Sequence, residues 1–364
     1  MQQFHALTDE YGPEKVVYLY EPRSGMKGIV VVDNIAAGPA IGGIRMAPDV
    51  TTDEVFRLAR AMTWKNALAG LRHGGGKAGI LADPKAPNKE QLIRHFAQAI
   101  EHLHGYIPGP DMGTDETAMA WVRDEIGRSV GLSKVLGGIP LDQVGATGFG
   151  IAICGEVAQE FCDLQLEGAR ICIQGFGNVG QHAARFLVER GAVLTTAVDL
   201  DGTLHDPDGI DVDELVRLKN ETGKVTVYES GQKLTGDAFI DLDYDVFVPA
   251  ARPDVIDERN APRLKCKCIL QGANIPVTGK AERILHDRGI LSVPDFVANA
   301  GGVICAAVEY QGGTQKQAFE TIEEKIRENT REILELSKTH HQMPAEAALS
   351  LAKQRVGEAM AYRR

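Results

Sequence analysis

A six-residue stretch, Gly175-Phe-Gly-Asn-Val-Gly180, stands where a strand pattern stops and a helix pattern starts, and it constrains this chain more than any other feature. Arg170-Ile-Cys-Ile-Gln174 before it reads as a strand, and Gln181 to Glu189 after it has helical spacing. A second strand pattern, Ala192 to Val198, ends at Asp199, 19 residues beyond Gly180. Strand, glycine turn, helix and a second strand closing on an acidic residue form the layout of a dinucleotide-binding unit. In that layout Gly175 permits the tight turn, Gly177 lets backbone approach a pyrophosphate, and Gly180 allows close helix–strand packing. The helix N-terminus, with Asn178 and Val179 at its mouth, supplies free N–H groups and a positive dipole end to phosphates. Asp199 is placed to bind ribose hydroxyls and opposes a 2′-phosphate, so the expected cofactor is NAD rather than NADP.

Beyond this unit, Asp245 to Val248, Cys268 to Gln271 and Ile290 to Val293 are strand-like, with helical stretches between most of them. That alternation predicts an α/β fold with a parallel sheet covered on both faces. A Gly- and Pro-rich segment, Ser133 to Gly150, marks a boundary. The reading is two domains: residues 1–140, rejoined by a C-terminal helix over 338–364, and a Rossmann-like, doubly wound NAD-binding domain over 141–337. In the first domain, Val16 to Tyr20 and Lys27 to Asp33 read as strands. A helix starts behind the Thr51-Thr-Asp-Glu54 capping pattern and runs towards Leu71. Gly74-Gly-Gly76 reads as a turn before a strand at Lys77 to Leu81, and Gln91 to His104 as a helix. Thr314 to Ser337 carries a long amphipathic helix; Pro344 ends it, and Ala345 to Tyr362 forms the last one.

The 364 residues carry a formal charge of −11, which repels phosphate backbones and anionic lipids, so nucleic-acid and membrane partners are not expected. Met1 to Glu10 shows no secretory leader, and the six cysteines lack paired spacing, so they are expected as reduced thiols in a cytoplasmic protein. No metal is expected: Cys266-Lys-Cys268 reads as strand, and Asp199-Leu-Asp-Gly202 and Asp206-Pro-Asp-Gly209 lack the glutamate that completes a calcium loop. Gly74-Gly-Gly-Lys77 is no phosphate loop, because Ala78 stands where Ser or Thr is needed.

Three residues of the first domain carry candidate chemistry: Lys65 in Thr-Trp-Lys-Asn66, Lys77 after the glycines, and Asp111 in Gly109-Pro-Asp-Met-Gly113. Glycines beside a lysine let backbone approach and desolvate the ammonium, which lowers its pKa.

At these residues the chain resembles the glutamate/leucine/phenylalanine/valine dehydrogenase family. The resemblance runs through Gly38-Pro-Ala-Ile-Gly-Gly-Ile-Arg45, Thr63-Trp-Lys-Asn66, His73-Gly-Gly-Gly-Lys77, Gly109-Pro-Asp-Met-Gly-Thr114, Ala146-Thr-Gly-Phe-Gly150 and Gln174-Gly-Phe-Gly-Asn-Val-Gly180. It continues through Gly272-Ala-Asn274 and Pro294-Asp-Phe-Val-Ala-Asn-Ala-Gly-Gly302. It implies reversible oxidative deamination of an L-amino acid to a 2-oxo acid and ammonia. By the family pattern, Lys65 holds the substrate carboxylate, Lys77 activates water, and Asp111 shuttles protons to and from the amino nitrogen. Thr147, Ala250, Asn274 and Asn299 match positions lining the cofactor. The resemblance also implies a homo-oligomer assembled through the first domain, which binds substrate, and a cleft that closes on it.

Family members that use glutamate place a lysine and a serine on its side-chain carboxylate. Ile41, before Gly42 and Gly43, and Ala306 stand at those positions here. An unpaired carboxylate there would cost several kcal/mol, whereas an apolar side chain gains about 25 cal/mol per Å² buried. The site residues thus sit nearest the leucine/phenylalanine/valine branch and point to an apolar substrate. Gly109-Pro-Asp-Met-Gly-Thr114 and Asp201-Gly-Thr-Leu-His-Asp-Pro-Asp-Gly209 look more like the glutamate branch. A glutamate dehydrogenase and a catalytically silent nucleotide-binding or scaffold protein are the alternatives.

Overall fold

The computed structural model describes residues 8–363, and the chain divides into two compact units. The first comprises the chain up to Leu141, Val303–Thr321, and the chain from Ser350 onward; the second comprises Asp142–Gly302 and Ile322–Leu349.

The first unit is built on a five-stranded sheet. Its elements are β1 (Lys15–Glu21), β2 (Met26–Asn34), β3 (Ala40–Met46), α1 (Thr52–Leu68), β4 (Gly74–Ile80), α2 (Lys89–Ala99), β5 (Tyr106–Pro110) and α3 (Glu116–Ile126). The strand order is β1-β2-β4-β3-β5, antiparallel where β1, β2 and β4 pair and parallel among β4, β3 and β5. Strand periodicity splits β2 between two cores. Ile29 and Val31 pack with Val50, Val55 and Ala59 under α1. Val30 and Val32 face the other way, with Leu92 and Phe96 of α2 and Met119 and Val122 of α3. Thr51 caps α1 as its sequence pattern requires, accepting the Glu54 N–H at 3.2 Å.

One expectation fails here. Gly74-Gly-Gly76 is not a turn but the start of β4, paired to both β2 and β3. Gly42 and Gly43 of the Gly38–Arg45 motif also lie within a strand, β3, which starts at Ala40. The reason is close packing: a Cβ at Gly75 would lie 2.1 Å from the Thr63 backbone nitrogen of α1, and one at Gly42 would lie 1.6 Å from the Gly76 carbonyl oxygen. Only bare backbone lets helix and strands approach this far, which is why glycine appears inside strands. The first two helices are also shorter than their patterns, ending at Leu68 and Ala99.

The second unit holds α4 (Ala146–Ala158), β6 (Arg170–Gln174), α5 (Asn178–Val188), β7 (Val193–Asp199), β8 (Gly202–His205), α6 (Val212–Thr222), β9 (Gln232–Leu234), β10 (Val246–Pro249), β11 (Cys268–Leu270), α7 (Gly279–Asp287), β12 (Leu291–Val293) and α8 (Asp295–Ala298). Its sheet order is β12-β11-β10-β6-β7-β8-β9, parallel from β12 to β7. Cys172, Phe247 and Ile269 face one side with Ala281 and Leu285 of α7, while Ile173 meets Gly180 of α5 on the other. The doubly wound expectation holds. The antiparallel strands β8 and β9 depart from it: β8, four residues long, is too short to show periodicity and was not anticipated. Ala146–Gly150, read as part of the Gly/Pro boundary, begins α4.

Three helices close the chain: α9 (Gly301–Tyr310), α10 (Gln315–His340) and α11 (Pro344–Ala361). Pro344 is the first residue of α11, a position whose N–H needs no helical partner. Among the described residues no helix is long and apolar enough to cross a membrane, no group of His, Cys, Asp and Glu could hold a metal ion, and all six cysteines are free.

Candidate active site

The residues read as catalytic or substrate-binding all fall in the first unit, and those read as cofactor-binding all fall in the second.

In the first unit the site rests on one face of the sheet. Lys77 lies opposite Val31, so it projects to the α1 side, as do Gly75 and Gly79 two residues either way. Those glycines leave the lysine without flanking side chains and bring α1 down over it; its side chain is 9% exposed. Asp111 follows β5 directly. Its backbone N–H donates to the Thr114 hydroxyl at 2.9 Å, and that hydroxyl donates to the Ile44 carbonyl at 2.8 Å, which fixes the turn. A Cβ at Gly43 would stand 2.7 Å from the Asp111 Cβ, so glycine there also admits the carboxylate.

Lys77 Nζ lies 3.1 Å from Asp111 Oδ2, and the same oxygen accepts from Arg45 Nε at 2.9 Å. Arg45 also pairs with Glu54. Burial holds the Lys77 ammonium below its ordinary pKa, and the neighbouring Arg45 charge pushes the same way, against the attraction of Asp111. Burial alone would raise Asp111, but the two cations outweigh it and hold the carboxyl below the usual carboxylate range. The arrangement is a desolvated lysine with a lowered pKa beside a carboxylate that two cations hold low. Lys65 sits in the last turn of α1, half-buried. Neither Arg45 nor Glu54 was read as a site residue; Arg45 stood only at the end of the Gly38–Arg45 motif and Glu54 only in the Thr51–Glu54 capping pattern.

Ile41 and Ala306 are in one buried apolar cluster with Ile107 and Val130, and Leu141 packs against it. Ile41 pairs in register with Ile107 on adjacent strands, which puts both side chains on the Lys77 face. Gly42 and Gly43, read as substrate-binding, have the packing reasons already given.

In the second unit β6 ends at Gln174 and Gly175 turns with φ 93°, a left-handed value suited to glycine. A Cβ at Gly180 would lie 2.0 Å from the Gly175 carbonyl oxygen, so the third glycine is required by helix–strand contact. A Cβ at Gly177 would meet no protein atom within 4 Å, so the fold itself gives no reason for glycine there, and the backbone is open to close approach by a ligand. Helix α5 begins at Asn178, earlier than its pattern, so Asn178 and Val179 form its first turn, and no side chain caps it. Two buried oxygens nearby in sequence to predicted positions lack a protein partner, Gln174 Oε1 and Asn299 Oδ1. The Asn299 amide nitrogen donates to Asn274 Oδ1 at 3.2 Å and to the carbonyls of Gly272 and Ala273. Thr147 lies in the first turn of α4, and Ala250 follows β10 with its N–H on the Gln174 carbonyl at 2.6 Å. An uncapped helix start and orphaned acceptors fit a dinucleotide. Asp199 ends β7, but its carboxylate pairs with Lys219 of α6 at 2.5 Å, a partner that nothing in the sequence announced.

Residues 13–128 match the model of the Glu/Leu/Phe/Val dehydrogenase dimerisation domain, and 137–364 match that of Glutamate/Leucine/Phenylalanine/Valine dehydrogenase. An NADP-specific glutamate dehydrogenase of Saccharolobus shibatae is 42% identical over 293 residues, 76% of this chain and 69% of that protein. An NAD-specific glutamate dehydrogenase of Staphylococcus aureus is 38% identical over 352 residues, 91% of this chain and 84% of that protein. The hetero-hexameric glutamate dehydrogenase of Thermus thermophilus, in a leucine-bound crystal form, superposes with TM-score 0.86 at 28% identity, covering 100% of this chain and 95% of that one.

Proposed function

We infer the reaction from one premise: the chain belongs to the Glutamate/Leucine/Phenylalanine/Valine dehydrogenase family. It is an amino-acid dehydrogenase, an oxidoreductase, and we propose that it carries out the NAD-dependent, reversible oxidative deamination of an apolar L-amino acid. Lys65 anchors the α-carboxylate, Lys77 serves as the base that activates water for attack on the imine, and Asp111 relays protons at the amino nitrogen. A base working near neutral pH is what hydration of an imine needs. The nicotinamide, when bound, accepts the hydride from Cα.

The observation that carries the substrate class is the packing of Ile41 and Ala306 with Ile107 and Val130. A γ-carboxylate set against four hydrocarbon side chains would lack a counter-charge. Glutamate is the second reading, and the relatives' names favour it: on names alone it is the better supported. The two readings part in one assay, NADH formation with leucine, valine, phenylalanine and glutamate. A preference for an apolar substrate of at least tenfold in kcat/KM, about 1.4 kcal/mol, is expected. Preference for glutamate by that factor overturns the apolar reading, and absence of turnover with NADH still bound would mark a silent nucleotide-binding protein.

Cofactor choice belongs to the same assay, run with NAD and NADP. Asp199 favours NAD by binding ribose hydroxyls, but Lys219 at 2.5 Å neutralises part of its repulsion towards a 2′-phosphate. NAD preference is therefore expected to be moderate and to steepen in Lys219→Ala, read as the ratio of NADPH to NADH dissociation constants by fluorescence titration. An unchanged ratio would place cofactor choice elsewhere. The protein acts on small molecules and works as an oligomer assembled through the first unit, here read as one of identical copies; the dimerisation-domain match and the hetero-hexameric relative support the oligomer.

A further inference from the structure

Helix α9 carries both Ala306, in the apolar cluster, and Glu309, three residues on and therefore on a neighbouring part of the same helix surface. The Glu309 side chain is buried, at 9% exposure for the residue. Its two carboxylate oxygens reach into one chain segment: Oε1 accepts the Leu132 N–H at 3.1 Å and Oε2 accepts the Ile139 N–H at 2.9 Å. That segment starts at Val130, whose N–H is held by the Pro108 carbonyl at 2.9 Å, and returns to Leu141. Both of its ends contribute to the apolar cluster, Val130 as a member and Leu141 packed against it. Its tip, by contrast, stands in solvent, with Val135 at 94% exposure. The segment is thus a loop whose limbs meet near the tip through the Gly138 N–H and the Ser133 carbonyl at 3.0 Å, and whose base is held to the helix that bears Ala306 by a buried carboxylate. A carboxylate at the C-terminal end of a helix opposes the dipole, and burying it costs solvation. A hydrocarbon in its place would leave the Leu132 and Ile139 N–H groups without an acceptor, so the carboxylate ties the loop to α9 specifically.

We propose that Glu309 is a positioning residue for substrate selection, latching the 130–141 loop to α9 so that Val130 and Leu141 close the side-chain pocket over Ile41 and Ala306. The latch rests on the reading of that cluster as the substrate side-chain pocket. It makes pocket depth depend on a residue that does not itself touch the substrate. Losing both charge-assisted bonds frees the loop and widens the pocket, so binding weakens and selection by size relaxes, while the chemistry at Lys77 is untouched.

The test compares wild type with Glu309→Ala and Glu309→Gln in the full-length protein. In Glu309→Ala, KM for the preferred amino acid is expected to rise about tenfold or more, with kcat within about twofold. The spread of kcat/KM among valine, leucine and phenylalanine should narrow. Hydrogen exchange at residues 131–139 should quicken, and the NADH dissociation constant, set in the second unit, should not move. Glutamine offers one acceptor for two N–H groups, so Glu309→Gln is expected to fall between alanine and wild type in both KM and exchange. A purely structural role would lower melting temperature and active fraction while leaving KM and the size ratios alone. Unchanged KM and unchanged exchange in Glu309→Ala overturn the latch; if alanine abolishes folding, the same result in Glu309→Gln does so. The apolar reading fails separately, when wild type prefers glutamate, and the exchange measurement still decides whether the latch exists.

Discussion

The base proposed at Lys77 would draw its reactivity from what its neighbours lack. Glycines at 75 and 79 leave it alone on its face of β4, α1 covers it, and burial with the nearby Arg45 charge lowers its pKa. A base acts unprotonated, and the unprotonated fraction grows with pH. A lowered pKa therefore moves the rising limb of the pH–rate profile for deamination down from where an exposed lysine would put it. Lys77→Ala should lower kcat by roughly 10²–10⁴-fold, the usual worth of general acid–base catalysis, with NADH affinity unchanged in a fluorescence titration. Asp111 keeps Arg45 as a partner in that variant, so the fold should survive it. Near-normal turnover would remove the lysine from the mechanism. Lys77 and Asp111 were legible in the sequence because glycine-rich motifs flag places where backbone comes close. Arg45, Glu54 and Lys219 were not, because an ion pair between distant segments leaves no local pattern; strand β3 had first to lie beside β5, and α6 beside the end of β7, for either pair to exist.

At the scale of elements, the chain was most readable where periodicity runs long. The α5 region, the β6 and β7 strands and the long α10 helix all follow from spacing alone. The glycine segments misled, since local propensity reads Gly74-Gly-Gly76 as a turn, whereas tertiary contact with α1 makes it strand. That account can be checked by two glycine-to-alanine changes of opposite expected sign. In Gly75→Ala the new Cβ would lie 2.1 Å from the Thr63 nitrogen and 2.5 Å from the Ala59 carbonyl oxygen, so α1 must lift. Overpacking of this kind costs about 1–3 kcal/mol. The melting temperature should drop by several degrees, and turnover should fall with it because α1 carries Lys65. Gly357 lies inside α11, exposed, with nothing within 4 Å of a Cβ. Gly357→Ala should raise stability by about 0.5–1 kcal/mol. Scanning calorimetry reads both, and a Gly75→Ala melting temperature equal to wild type would show that packing does not dictate the glycine.

For the whole molecule, the open question is what covers the edge of the first sheet. Strand β1 has β2 on one side and, among the described residues, no strand on the other. It displays Tyr18 at 67% and Tyr20 at 66% exposure, and Leu81 is exposed nearby in the groove these residues line. An open strand edge with large apolar side chains invites another chain, and monomeric proteins usually guard such edges with charge, proline or a bulge. Charge is sparse on the exposed part of β1: Lys15 and Glu21 stand only at its two ends. The segment also lies within the stretch matching the dimerisation-domain model. A homo-oligomer joined across β1 would bury the tyrosines and complete the edge. Tyr20→Asp puts an unpaired carboxylate into such a joint, so the solution mass measured by sedimentation velocity should fall towards a smaller species, more so as the protein is diluted. A control, Leu200→Asp, alters an even more exposed apolar residue in the second unit, beyond the end of β7, and should leave the mass unchanged. If Tyr20→Asp keeps the wild-type mass at every concentration, the copies meet elsewhere. If both substitutions lower it, the loss reflects surface charge in general, and the β1 edge loses its claim.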